Sequence, residues 1–140
     1  MIRKHKASDL EVIVDVWYQA STLAHPFLAT TFVEQVKKDM RELYIPNSET
    51  WVFEEDNTVI AFIGMQGNEI GGLFVLPKHH SKGIGTQLVN FILKTHPTLE
   101  VEVFKENKIG RAFYDKFGFK TFKEFLHEAS GQEVIRMKFN

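Results

Sequence analysis

The residues with the clearest chemical potential lie in Leu73-Phe74-Val75-Leu76-Pro77-Lys78-His79-His80-Ser81-Lys82-Gly83-Ile84-Gly85-Thr86-Gln87-Leu88, an apolar run, a turn at Pro77 and two glycines flanking one residue. Without Cβ atoms at Gly83 and Gly85, successive backbone N–H groups can point the same way. A helix opening there would offer unpaired N–H groups and a positive dipole end to a phosphate-like anion. His25 and the pair His79-His80 have neither i,i+4 helical spacing nor a carboxylate partner pattern, so no metal is expected.

The elements that must position these groups follow from periodicity. Ser8 and Glu11 are spaced as a capping box, and Leu10, Ile13, Val14, Trp17 and Tyr18 follow at helical spacing up to a break at His25-Pro26. A second helix is predicted from about residue 31, with Phe32, Val36, Met40 and Leu43, to a stop at Pro46. Between them Thr22-Leu23-Ala24-His25-Pro26-Phe27-Leu28 reads either as the border of a pocket or as a helix-packing turn. The period then changes to two, giving strands over 50–54, 58–64 and 69–75 joined by short turns. Gly71 and Gly72 weaken the third strand and suggest a bulge or a close ligand backbone.

After the glycine loop, Ile84, Leu88, Val89, Ile92 and Leu93 predict an amphipathic helix, and residues 99–104 alternate as a strand. A further helix starts near Asn107, with Ala112, Phe113 and Phe117 on its apolar side and Gly118 as its C-cap. Strands over 119–127 and 132–139 close the chain. A strand–helix–strand crossover runs parallel, so the sheet is mixed, with helices on both faces: an α+β fold.

Composition bounds the rest. The chain has 140 residues, 17 basic and 18 acidic side chains, and no cysteine. One domain spanning 1–140 is expected, with no disulfide, thiolate catalysis or cysteine-ligated zinc. A net charge of -1 gives no reason to expect nucleic-acid or membrane partners. The basic start at Met1 runs into Ala7-Ser8-Asp9 rather than an apolar stretch, so a cytoplasmic protein, a monomer or homodimer, is expected. The thirteen phenylalanines are expected mainly to fill a small core, with some lining a cleft.

Two common phosphate loops do not fit. Gly85 is followed by Thr86-Gln87 rather than the Lys-Ser/Thr of a Walker loop, and Leu88 occupies the last glycine position of a dinucleotide fingerprint. The segment 77–88, followed by Asn107, Phe113-Tyr114 and Gly118-Phe119, instead resembles the GNAT superfamily of acetyl-CoA-dependent N-acetyltransferases across the whole chain. Trp17, His25-Pro26-Phe27 and Trp51 are similar to the bacterial YiaC/YjaB branch, whose members act on lysine or small amines.

The resemblance implies a sheet with a splayed central pair of strands and assigns roles by position. The amides of Lys82, Gly83, Ile84, Gly85 and Thr86 would hold the pyrophosphate of acetyl-CoA, with His80 standing where the family usually has Gln or Arg. Leu73, Phe74 and Val75 would supply the strand along which the pantetheine arm lies, Leu73 N–H stabilising the oxyanion. Asn107 and Phe113 would contact the arm, and Tyr114 would protonate the departing thiolate. The acceptor would be an amine-bearing small molecule, a protein lysine or an N-terminus, in a cleft bordered by His25 and Phe27. An amine with a pKa of about 10.4 must lose a proton as it attacks. Glu69 has the spacing to the loop of the base in histone acetyltransferases, and Glu102 lies on the facing strand. A rival from another class is a CoA-binding regulatory module without turnover.

Overall fold

The computed structural model describes residues 1–140. In chain order the elements are β1 (Ile2–Lys4), α1 (Leu10–Ala24), α2 (Thr30–Asp39), β2 (Glu49–Glu55), β3 (Thr58–Gln66), β4 (Glu69–Val75), α3 (Ile84–Leu93), β5 (Leu99–Phe104), α4 (Lys108–Phe117), β6 (Lys120–His127) and β7 (Gln132–Phe139). All seven strands join one sheet in the order β1-β2-β3-β4-β5-β7-β6. Every pairing is antiparallel except β4 with β5, the crossover through α3.

That parallel pair is short. Only Glu69↔Glu100 and Ile70↔Val101 are in register, after which β4 and β5 diverge. The departure coincides with a bulge: Gly64 pairs with Gly72 but Met65 with Ile70, leaving Gly71 as the extra residue. A bulge bends its strand, so the two glycines that weaken β4 are where the sheet opens. The predicted splay is therefore present, and its cause is local.

Packing follows the apolar faces. Ile13, Val14, Val16 and Trp17 of α1 and Ile84, Leu88, Val89 and Ile92 of α3 are buried, as are Leu99, Val101 and Val103 of β5. The phenylalanines divide between the core and the two cavities. Phe53, Phe62 and Phe119 are buried. Phe113, Phe117 and Phe139 line one cavity and Phe32, Phe74 and Phe104 another.

One strand escaped the sequence reading and three local predictions are corrected. Strand β1 is too short to show alternation, and only its pairing with Trp51, Val52 and Phe53 of β2 makes it a strand. The entry to α1 is organised by Asp9 rather than by Ser8 and Glu11. The Asp9 carboxylate accepts from Lys6 N–H at 2.7 Å and from Arg3 at 2.8 and 3.1 Å, while Glu11 binds Arg41 at 2.8 Å. The second predicted helix is not continuous up to a stop at Pro46: its regular part ends at Asp39. A wide turn over Met40–Tyr44 leads into a last helical turn, Ile45–Asn47, whose opening positions need no N–H from Pro46. On α4 Ala112 is exposed, and the fully enclosed side chain is Tyr114.

Candidate active site

Strand β4 is half an edge. Leu76 N–H bonds Ile60 O at 2.9 Å, so its side of the strand faces β3. Backbone groups alternate along a strand, which turns those of Leu73 and Val75 toward the gap left by β5. The imidazole of His80 caps one of them: its Nε2 lies 2.9 Å from Val75 O, and because a carbonyl only accepts, Nε2 carries the proton. His80 thus ties the loop back onto the strand from which it emerges.

The loop then turns through left-handed geometry. Ser81 has φ 66° and Gly83 φ 76°, and Gly83 stands at the N-cap of α3 with no side chain bonding the first turn. The leading N–H groups of the helix are therefore open toward solvent and a neighbouring groove. A Cβ on Gly85 would come within 3.0 Å of the Phe113 ring, so a side chain there would fill the approach to those amides. The groove, about 1110 Å³, runs from His80, Gly83 and Thr86 past Phe113 and Tyr114 to Leu73. An open strand edge, an uncapped helix start and a long apolar-walled groove fit an extended molecule with a phosphate at one end.

A second cavity of about 230 Å³ lies between α1, the segment after it and β5. Trp17, Leu28, Phe74 and Phe104 make it apolar, and Glu102 is on its lining. Leu73, Gly110 and Tyr114 line both cavities, so the two meet there. The Tyr114 phenol is enclosed, and burial pushes its pKa well above the ordinary value, keeping it in the protonated form that can donate.

The two carboxylate candidates share one cation that the sequence pattern did not single out. Arg136 on β7 holds Glu69 at 2.8 Å, Glu102 at 3.2 Å and Glu100 at 3.5 Å. Hydrogen bonding to Glu69 is the main cause that raises the Arg136 pKa. Of the two candidates only Glu102 reaches the second cavity; Glu69 does not line it.

The other expected positions separate. Val75, His80, Gly83, Ile84, Gly85 and Thr86 come together with Phe113 on the groove. Phe74 and Asn107 face the second cavity instead. Lys82 is exposed, its Nζ 3.1 Å from His79 Nδ1. His25 lines the second cavity, while Phe27 stands behind it, 5.8 Å from the His25 ring and 5.7 Å from Phe104. His25 is bonded on both ring nitrogens, to Ser21 Oγ at 2.9 Å and to Asn107 Nδ2 at 3.1 Å. Ser21 and Arg136 are the residues missed. Ser21 precedes His25 by one helical turn, a signal the sequence did carry, whereas the place of Arg136 depends on cross-strand register.

Residues 46–121 match the acetyltransferase (GNAT) domain family. The chain belongs to that family. It is 33% identical over 120 residues to the peptidyl-lysine N-acetyltransferase YiaC of Escherichia coli, covering 85% of this chain and 82% of YiaC. The apo form of YjaB from Escherichia coli superimposes with a TM-score of 0.89 at 23% identity, over 99% of this chain and 96% of that one. The PaiA N-acetyltransferase of Thermoplasma acidophilum, solved with coenzyme A, gives a TM-score of 0.83 at 21% identity, over 99% and 98% of the chains. The seven-stranded mixed sheet of this GNAT acetyltransferase is thus shared across wide sequence distance. No group of three His, Asp or Glu side chains is placed to hold a metal ion, and no helix is long and apolar enough to cross a membrane.

Proposed function

We propose that residues 1–140 act as one domain that moves the acetyl group of acetyl-CoA directly to a primary amine, with a lysine side chain of a peptide or protein as the acceptor. The observation that carries this reading is the meeting of the two cavities at Leu73 and Tyr114. One cavity suits a phosphate-bearing arm, and the other is a narrow apolar pocket suited to the methylene chain of a lysine. The names of the related YiaC and YjaB enzymes support the lysine acceptor.

In this reading the open N–H groups of Gly83 to Thr86 hold the pyrophosphate, and the free backbone groups of Leu73 together with the Val75 N–H pair with the pantetheine amides. Glu102, bordering the second cavity, takes the proton from the incoming ammonium, directly or through water, and Glu69 serves to hold Arg136. The freed amine attacks the thioester carbon, forming the C–N bond. Leu73 N–H receives the developing oxyanion. Collapse breaks the C–S bond, Tyr114 donates its phenolic proton to the thiolate, and the second proton of the attacking nitrogen, released as the amide forms, passes through water to the Tyr114 phenolate. No cysteine is present to carry an acyl intermediate, so a ternary complex is expected.

Tyr114→Phe tests the assignment. With acetyl-CoA and lysine peptides, kcat should fall by about 10²-fold, within the range for losing a general acid, while CoA affinity stays within about twofold. Unchanged turnover would remove Tyr114 from the chemistry.

A further inference from the structure

The segment after α1 and the start of α4 are joined by a chain of hydrogen bonds whose donors and acceptors can be assigned. Asn107 caps α4: its Oδ1 accepts from Gly110 N–H at 2.8 Å. The oxygen being used there, the atom facing His25 Nε2 at 3.1 Å is the amide nitrogen Nδ2, which only donates. His25 Nε2 must therefore accept and carry no proton. The neutral ring then has its proton on Nδ1, which donates to Ser21 Oγ at 2.9 Å.

The setting locks this arrangement. Ser21 is 4% exposed and Asn107 9%. The imidazole is flanked edge-on by Phe104 at 5.0 Å and Phe27 at 5.8 Å. A Cβ on Gly110 would fall 2.5 Å from Asn107 Nδ2, so the amide is seated directly against a residue with no side chain. With both nitrogens engaged inside the protein, His25 has no lone pair free to take a proton from an acceptor amine.

We infer that His25 is a positioning residue: as the Nδ1–H tautomer it fixes the Asn107 amide, and with it the first turn of α4, so that Tyr114 stands at the junction of the two cavities. The hydrogen-bond chain stands on geometry alone, while its effect on turnover rests on the acetyltransferase reading above. His25 then links the acceptor side of the molecule to the cofactor side through a single ring.

Two measurements test it. Long-range proton–nitrogen NMR of the whole chain at neutral pH should show His25 protonated on Nδ1 and bare on Nε2, with slowed exchange of the Asn107 side-chain amide. A ring protonated on Nε2, or charged, would overturn the assignment. In steady-state kinetics with acetyl-CoA and a lysine peptide, His25→Phe retains an aromatic ring but loses the acceptor nitrogen. It should lower kcat about five- to tenfold, the scale of one lost hydrogen bond, with the amine KM nearly unchanged. His25→Gln, which returns an acceptor oxygen at similar reach, should recover most of the loss. Asn107→Ala should add little on the His25→Phe background, because both changes cut the same link. A rise in amine KM without loss of kcat, or full additivity with Asn107→Ala, would make His25 only a wall of the acceptor pocket and overturn the proposal. Were the wild-type chain to show no turnover, the acetyltransferase reading would fall, and the NMR result would still decide the His25 link.

Discussion

Lowering the pH should protonate His25 in the unfolded chain well before it does so in the folded protein. Burial pushes the His25 pKa down from 6.5 to about 4, and its ring has no carboxylate partner to offset that cost. Between those two values the unfolded state binds more protons than the folded state, so stability rises with pH across that window. The contribution is complete above 6.5, is lost as the pH falls toward 4, and changes no further below that. A gap of 2.5 units between 6.5 and 4 corresponds to roughly 3 kcal/mol. Urea unfolding followed by fluorescence of Trp17 and Trp51 would measure it, comparing the wild type with His25→Gln so that all other titrating groups cancel. The wild type should lose roughly 3 kcal/mol more than the variant over this window, with a limiting slope of about 1.4 kcal/mol per pH unit. A difference that stays constant with pH would refute the buried neutral ring.

Other outcomes follow from the groove and the cation it shares a sheet with. Gly85→Ala should raise the acetyl-CoA KM about tenfold, since the new methyl meets Phe113 at 3.0 Å beside the open amides, and calorimetry with CoA would show the same loss. Gly83→Ala should destabilise the fold by about 1 kcal/mol in thermal unfolding, because an alanine is strained at φ 76°. His80→Ala frees Val75 O and loosens the loop, so CoA should bind about fivefold more weakly, while His80→Gln, which can still donate, should stay within about twofold. Glu102→Gln should reduce kcat about 10²-fold, and Glu69→Gln should cost less than about tenfold. Equal losses in the two variants would contradict the separate roles given to them.

Much of the fold was legible because it rests on local signals. The two-residue period of β2, β3 and β4, the alternation of β5, the glycines before α3 and Gly118 after α4 are each read within a few residues. The bulge at Gly71 was also foreshadowed, since paired glycines in a strand invite one. What escaped depends on partners distant in sequence. Strand β1 exists through β2, and Asp9 acts through Arg3, itself held by Glu54 at 2.7 Å. At the site, the loop and Tyr114 could be placed from their motifs. The clamp of Arg136 on Glu69 and Glu102 could not, because it follows from the register of β5 against β7 and the short contact of β4 with β5. The His25–Asn107 bond joins residues 82 positions apart and was likewise hidden.

One molecule that binds acetyl-CoA in the groove should deliver its acetyl group to an amine entering past Leu73 and Tyr114. Incubating the purified chain with acetyl-labelled acetyl-CoA and lysine peptides, with mass spectrometry of peptide and protein and thiol detection of CoA, tests it directly. Label should appear on a lysine Nζ, with one CoA released for each acetyl transferred and no acetylated enzyme intermediate. Saturable CoA binding without transfer to any amine would contradict it and make the chain a CoA-binding module.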